Sequence, residues 1–114
     1  MAQVDAAPAL FGSETRTATL VAIRLLGQTW ASELALLLGQ RLFSVQRVLS
    51  AFERERVIVL RKQGSTRIVT LNPRYFAAKE LDALLWKLGQ ADAGLQKQLA
   101  ANRRRPRETG RTAA

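Results

Sequence analysis

The side chains best suited to binding chemistry lie in residues 42–55, where apolar residues recur at i, i+3, i+4 and i+7 from Val45, the spacing of a buried helix face. At about 100° per residue, the opposite face and its flanks carry Ala51 and six residues predicted to contact DNA: Phe43, Ser44, Gln46, Arg47, Ser50 and Arg54. Arginine can bond two acceptors of guanine, and glutamine can bond two groups of adenine. The stretch therefore predicts a helix that reads base edges in the major groove of DNA. Phe43, the apolar exception, could contact a thymine methyl group or pack against the preceding turn.

A second group of cations lies in residues 57–71, where two runs rich in β-branched residues flank Gln63-Gly64-Ser65. This pattern predicts a β-hairpin. Arg61, Lys62 and Arg67 fall near its tip, and we expect them to lie along the sugar-phosphate backbone, with Arg67 able to enter a minor groove. A hairpin whose cations are merely solvated is the alternative.

The charge is unevenly distributed along the chain, which carries 18 Lys and Arg against nine Asp and Glu, a net charge of +9. Residues 40–75 hold eight of the basic and two of the acidic side chains, and residues 102–114 hold five and one. Residues 1–39 and 76–101 are close to balanced. Positive potential over the predicted reader helix, hairpin and tail would attract phosphate and release counterions, which favours a nucleic-acid partner. The alternative is that the excess positive charge only keeps the protein soluble. That explanation gives no reason for the excess to be missing from residues 1–39 and 76–101.

Several elements are needed to position these side chains. Residues 13–26 have a wide apolar face, begin with Ser13 as a plausible N-cap and end before Gly27. Residues 31–38 form a second short helix, and Gly39 supplies the backbone freedom for a tight turn. With a short bridging strand between these helices, the predicted order is helix, strand, helix, turn, helix, hairpin. We therefore expect an α+β, mainly helical fold, a winged helix-turn-helix domain over residues 13–74.

Residues 75–101 read as a helical region for dimerisation, because leucines recur there in two series with heptad spacing. Six leucines form the predicted dimer interface: Leu81, Leu84, Leu85, Leu88, Leu95 and Leu99. Asp92 interrupts the series, and Gly89 and Gly94 weaken the helix, so we expect a break between positions 89 and 94. The alternative is that the leucine face folds back on the first helix of the same chain. Trp86 flanks this face and is expected to be buried in either case.

The two ends differ in character from the middle of the chain. Residues 1–12 form a small-residue arm, and residues 102–114 form a basic tail without large apolar side chains, which we expect to be disordered. The tail could add nonspecific phosphate contacts or be inert. No apolar run approaches the about 20 residues of a membrane-spanning helix, the first residues lack a signal-peptide pattern, and cysteine is absent. A cytoplasmic protein with no disulfide, no thiolate metal site and no cofactor is the simplest interpretation.

The order of a helix, ELALLLGQRLFSVQRVLSAFE, a hairpin, LNPRYF and a long helix resembles the winged-helix transcriptional regulators of the ArsR type, and more loosely the MarR type. The resemblance covers roughly residues 10–100. Its most specific parts are the spacing of Leu34, Ala35 and Gly39, the pair Val45 and Leu49, and the closing Leu71-Asn72-Pro73. It implies a dimeric repressor whose reader helix enters the major groove. The implied DNA contacts are Ser44, Gln46, Arg47 and Ser50 on the helix and Arg61, Lys62 and Arg67 on the hairpin.

Three departures from that family pattern matter. The metal-sensing members bind metal through Cys, His and acidic residues, and this sequence has no Cys or His, so metal sensing by that chemistry is not expected. Arg41 stands where a Ser or Thr cap of the reader helix is common. Arg56 stands where such families place a glycine, so either the arginine adopts a left-handed conformation at a cost of roughly 1 kcal/mol or the turn differs.

Three function classes compete. The leading hypothesis is a sequence-specific, dimeric DNA-binding transcriptional regulator, a repressor, with two reader helices on half-sites of double-stranded DNA. The alternative is a winged-helix module that binds a partner protein without DNA sequence specificity, against which the cationic reader helix and hairpin argue. An enzyme is disfavoured, because Cys, His, a carboxylate pair and a glycine-rich phosphate loop are all absent. The residues identify no site for a small-molecule effector.

Overall fold

The computed structural model describes residues 9–103, so most of the predicted arm and of the predicted basic tail lies outside the described residues. The elements follow in the order α1 (Glu14–Leu26), β1 (Gln28–Thr29), α2 (Ala31–Leu38), α3 (Leu42–Arg54), β2 (Ile58–Gln63), β3 (Thr66–Leu71), α4 (Ala78–Ala91) and α5 (Ala93–Arg103). Five helices and a three-stranded antiparallel sheet make the described part an α+β fold that is mainly helical, as predicted. This order is compatible with a winged helix.

Helix α1 lies at the centre of the core. The Ser13 hydroxyl accepts a hydrogen bond from the Arg16 backbone N–H at 3.0 Å, which confirms the predicted helix start. Its wide apolar face carries Leu20, Val21 and Ile23, all fully buried. Helices α2, α3 and α4 and strand β3 pack against α1. One buried helix therefore fixes the position of α3 relative to the sheet.

Gly39 permits the tight turn between α2 and α3. Its φ of 64° and ψ of 35° lie in the left-handed region, which confirms the prediction for a glycine at this helix end. The backbone N–H of Gln40 donates to the Ala35 carbonyl at 3.0 Å and closes the turn. Arg41 precedes α3 without a side-chain capping hydrogen bond, so α3 begins without the hydroxyl cap present at α1.

Strands β2 and β3 form the predicted hairpin, with its ends within one residue of the sequence prediction. Gln63 pairs with Thr66, which leaves Gly64-Ser65 as a two-residue turn. Gly64 has a φ of 63°, a conformation that hairpin turns of this length require at their first central position. Strand β1 pairs with the other edge of β3, so the strand order is β1-β3-β2.

Arg56 ends α3 in the left-handed region with a φ of 65°. Of the two alternatives for this position, the left-handed arginine is the correct one. The Arg56 N–H donates to the Glu53 carbonyl and the Val57 N–H donates to the Phe52 carbonyl, each at 3.0 Å, a double closure usually built with glycine. The Asn72 side chain donates to the Arg56 carbonyl at 2.8 Å. These bonds hold an arginine in a conformation that costs about 1 kcal/mol or more.

Glycine at position 56 is expected to stabilise the protein. Arg56→Gly removes the Cβ that penalises the left-handed conformation and keeps both closing hydrogen bonds. The free energy of unfolding should rise by about 0.5–1 kcal/mol, because the freedom of glycine in the unfolded chain offsets part of the relief. Urea denaturation measures the change. Arg56→Ala keeps a Cβ and is the control: an equal gain from alanine would attribute the effect to the lost arginine side chain instead of the backbone.

The C-terminal helical region breaks at Asp92, inside the interval predicted from Gly89 and Gly94. The sequence shows Asp92 only as an interruption of the leucine series, whereas the structure gives it a role. Its Oδ1 accepts a hydrogen bond from the Leu95 backbone N–H at 3.0 Å, the contact of an N-cap. The residue is buried, at 2% exposure. Asp92 therefore begins α5 and allows it to turn back onto the domain.

Asp92→Ala is expected to lower the free energy of unfolding by about 1–2 kcal/mol, since it removes a capping acceptor from a buried backbone donor. Asp92→Asn keeps an oxygen that can accept from the Leu95 N–H, so this variant should retain most of the stability. Thermal unfolding followed by circular dichroism compares the three proteins. Equal losses of stability in both variants would show that the carboxylate charge of Asp92, and not its capping hydrogen bond, stabilises the start of α5.

Four of the six leucines predicted to pair two copies lie instead in the chain's own core: Leu85, Leu88, Leu95 and Leu99. Each is at most 7% exposed. Helix α4 packs against α1, and α5 packs against α2 and α4, so the alternative of a leucine face folded back on the same chain applies to these four. The physical reason is that the chain itself offers apolar surface within reach, on α1 for α4 and on α2 and α4 for α5. Leu81 is half-buried and Leu84 is 40% exposed, which leaves Leu84 as the accessible member.

Trp86 is 47% exposed and not buried as expected. Its ring centroid lies 4.8 Å from the guanidinium carbon of Arg24, and the Arg24 Nε lies 2.8 Å from the Asp82 Oδ1. A cation–π contact and an ion pair thus join α1 to α4 beside the leucine core. Gly89 permits the close approach of the two helices, because a Cβ there would lie 2.8 Å from the Leu25 Cδ2.

Candidate nucleic-acid interface

The outer side of α3 carries the predicted reader residues. Its inner side is buried through Val45, Leu49 and Phe52. Five of the six predicted residues on this helix are exposed: Phe43, Gln46, Arg47, Ser50 and Arg54. Ser44 is half-buried on the side that faces α1. The predicted orientation of α3, with its apolar side inward and its polar side outward, is confirmed.

An open groove of about 740 Å³ runs between α1 and α3, and we call it the α1–α3 groove. Its lining includes all six α3 residues predicted from the sequence, together with Ser13, Thr15 and Arg16 of the α1 end. Three arginines line it, at positions 16, 47 and 54, and no Asp or Glu does. The groove therefore combines positive potential with hydroxyl and amide groups that can bond phosphates or bases.

Arg16 is a groove residue that sequence reasoning missed. Its Nε donates to the Phe11 carbonyl at 2.7 Å, and its guanidinium carbon lies 4.5 Å from the centroid of the Phe52 ring. These contacts hold a half-buried cation in the same groove as Arg47 and Arg54. The signal available in the sequence was a cation in the first turn of a helix, where the helix dipole disfavours positive charge.

A second open groove, of about 580 Å³, lies between α3 and the hairpin, and we call it the α3–hairpin groove. Its polar lining includes Ser32 at the start of α2 and Thr66 and Arg67 on β3, and it contains no acidic residue. Gln46 and Ser50 line this groove as well as the α1–α3 groove. Helix α3 is therefore a ridge between two grooves without acidic residues. This shape suits insertion into the major groove of a DNA duplex.

The hairpin brings together two of the three predicted cations. Lys62 and Arg67 lie directly opposite each other, on the sheet face that also carries Val69 into the core. Arg61, one position earlier than Lys62, lies on the other face. Like charges directly opposite each other destabilise a sheet, so this pair should lower the stability of the free protein. The alternation of side chains along a strand could have separated Arg61 from the pair at the sequence level.

Phe43 and Arg47 are neighbours on successive turns of α3. The Arg47 guanidinium carbon lies 5.8 Å from the centroid of the Phe43 ring, within the range of a cation–π contact. Phe43 is 65% exposed, so its ring supports the arginine instead of packing into the preceding turn. A guanidinium that rests on a ring has fewer accessible rotamers, which lowers the entropy lost when it forms a bidentate hydrogen bond.

The described part of the chain contains neither a cluster of metal ligands nor a membrane-spanning helix. No group of three His, Cys, Asp or Glu side chains in residues 9–103 could hold a metal ion. No helix in this part of the chain is long and apolar enough to cross a membrane.

The chain matches no protein-family model, no curated protein and no solved structure. The assignment of the interface therefore rests on geometry and charge.

Proposed function

We propose that this protein is a sequence-specific transcriptional regulator that binds double-stranded DNA through a winged helix-turn-helix over residues 13–74. Helix α3 lies in the major groove, and the hairpin follows the sugar-phosphate backbone. The observation that carries the proposal is the α3 ridge. It stands between two grooves whose linings contain four arginines and no acidic residue.

The positions of the side chains suggest a division of roles. Arg47 and Gln46 have the chemistry to read guanine and adenine, and Gln46 borders both grooves. Ser44 and Ser50 are short hydroxyl groups beside them that can bond either a base edge or a phosphate. The flanking cations would hold phosphates: Arg16, Arg54, Arg61, Lys62 and Arg67. Arg61 serves from the outer face of the hairpin, so its contribution should be smaller than that of the Lys62–Arg67 pair.

Repression is the mode of regulation that we propose. A domain that occupies the major groove through α3 and the adjoining backbone through the hairpin excludes other proteins from the same base pairs. Placing the preferred site inside a reporter promoter tests this directly. Expression should fall when the protein is supplied, and a rise in expression would assign the opposite mode.

Selection of bound fragments from a random double-stranded DNA library tests DNA binding and sequence specificity together. We expect an enriched sequence that contains guanine or adenine at positions facing α3. Binding of that sequence and of a scrambled duplex, measured at about 50 and 200 mM salt, separates the base-reading and phosphate contributions. The scrambled duplex should bind more weakly at both salt concentrations and lose affinity with salt in a similar proportion.

Two results would contradict the proposal. Absence of DNA binding at the lower salt concentration would favour the alternative, a winged-helix module that binds a protein partner. Equal affinity for every duplex would retain DNA binding but reject sequence specificity. Arg103 on α5 lies outside both grooves, so Arg103→Ala controls for a general loss of positive charge and should leave binding nearly unchanged.

A further inference from the structure

The outward side of α4 carries small and apolar side chains and two opposite charges, and nothing in residues 9–103 covers it. Phe76, which precedes the helix, is 91% exposed, and Leu84 is 40% exposed. Ala83 and Ala91 are exposed on the same side. We call these residues, together with Glu80 and Lys87, the α4 face. Phe76 is the most exposed large apolar side chain in residues 9–103, and exposed apolar surface of this kind is common at protein contacts.

The charges of the α4 face are unpaired within the described chain. The ion pair that the structure shows in residues 9–103 joins Arg24 to Asp82, and neither Glu80 nor Lys87 takes part in it. These two residues are exposed and stand seven positions apart, so they project from the same side of the helix, two turns apart. The face therefore carries one negative and one positive charge with small and apolar residues between them.

The spacing makes the α4 face complementary to itself when two copies run antiparallel. With a twofold axis between Ala83 and Leu84, each residue meets the residue equally far from the axis on the other copy. Glu80 then meets Lys87 of the second copy, and Lys87 meets its Glu80. Ala83 meets Leu84 of the second copy, and Leu84 meets its Ala83. A parallel pairing would instead place Glu80 against Glu80 and Lys87 against Lys87.

We propose that a second copy of this chain docks antiparallel across the α4 face. The contact is isologous, since the same surface serves both copies and closes the assembly at two. It replaces the leucine interface expected from the sequence, whose main residues lie in the core. It also deepens the proposed function, because a dimer presents two α3 helices to one DNA molecule, yet the pairing itself requires no DNA.

One helix pair buries less area than a standard protein interface of about 1,600 Å². We therefore expect association in the micromolar range in the absence of DNA. Electrostatic steering and the two symmetric Glu80–Lys87 contacts determine the orientation more than the affinity. A DNA molecule with two half-sites would raise the effective concentration of the second copy and favour the same pairing.

Sedimentation equilibrium of the full chain without DNA, over concentrations that reach the millimolar range, tests the proposal by charge exchange. Glu80→Lys and Lys87→Glu each place like charges at both symmetric contacts and should raise the dimer dissociation constant about tenfold. The double variant Glu80→Lys/Lys87→Glu exchanges the charges and should restore the wild-type value. Lys97→Glu changes an exposed charge on α5 and should have no such effect. All these positions are exposed, so the folded state is retained and circular dichroism verifies it.

Either of two outcomes overturns this proposal. One is a wild-type protein that remains monomeric at every concentration. The other is a double variant that associates no better than the two single variants, which would show that Glu80 and Lys87 do not meet across copies. Neither measurement involves DNA, so a failure of self-association is distinguishable from a failure of the proposed DNA-binding function.

Discussion

Alanine at both Lys62 and Arg67 is expected to reduce the salt dependence of DNA binding. If each cation neutralises one phosphate, the slope of log affinity against log salt falls by about 0.9 per contact, or about 1.8 for the pair. Between about 50 and 200 mM salt, the wild-type protein should then lose roughly tenfold more affinity than the double variant. The loss should be similar on the preferred site and on a scrambled duplex, because phosphates carry no sequence information.

The same double substitution should stabilise the free protein while it weakens DNA binding. Lys62 and Arg67 are directly opposite each other in the hairpin, and removal of this repulsion should raise the free energy of unfolding by a few tenths of a kcal/mol. A variant that folds slightly better and binds DNA much worse separates a binding role from a structural one. Arg61→Ala removes a similar charge from the other sheet face and, as the smaller contributor, should lower the salt slope by less than about 0.9. An unchanged salt slope in the double variant would reject phosphate contacts by the hairpin.

Local patterns predicted the local structure well. The apolar spacing from Val45 identified the buried side of α3, and the structure buries Val45, Leu49 and Phe52. Gly39 and Gly64 marked turns because both positions need a positive φ. Such features depend on a few neighbouring residues, so a single sequence contains what is needed to find them.

Predictions that depended on distant contacts were less successful. The leucine spacing of α4 and α5 shows that one side is apolar, but it does not say which apolar surface meets it. In the structure α4 packs against α1, and α5 packs against α2 and α4. Leu85, Leu88, Leu95 and Leu99 are therefore buried within one chain. The capping role of Asp92 could not be predicted for the same reason, because it depends on the break after which α5 turns back onto the domain. Arg16 was missed for a related reason: it belongs to the groove only because α1 packs beside α3.

The residues predicted to contact DNA depend partly on local patterns and partly on distant contacts. The six residues on α3 were found from local periodicity, and all six line one groove. The sequence predicts one cluster of three hairpin cations near the tip, whereas strand pairing places Arg61 apart from Lys62 and Arg67. A periodicity of two was sufficient to show this separation. Only the tertiary structure shows the second groove, between α3 and the hairpin, so it alone shows that Gln46 and Ser50 line both grooves.

Arg47→Ala is expected to weaken binding to the preferred site by about 1–3 kcal/mol, which is roughly 5- to 150-fold. Arg47 is exposed, lines the α1–α3 groove and rests beside the Phe43 ring. Its guanidinium can form two parallel hydrogen bonds to a guanine, and loss of both removes discrimination at that base pair. Binding to the preferred site and to a site altered at each base pair in turn measures the effect. The variant should become tolerant at one position and remain selective at the others.

Arg47→Lys separates base reading from phosphate binding, because it retains the charge and loses the planar pair of donors. The lysine variant should bind a scrambled duplex almost as well as the wild type and still lose most of the discrimination at the same base pair. Phe43→Ala, which removes the supporting ring, should give a smaller loss at that position. If alanine and lysine at position 47 instead reduce affinity equally for preferred and scrambled DNA, Arg47 contacts the backbone, and base reading must be assigned to Gln46 and the two serines of α3.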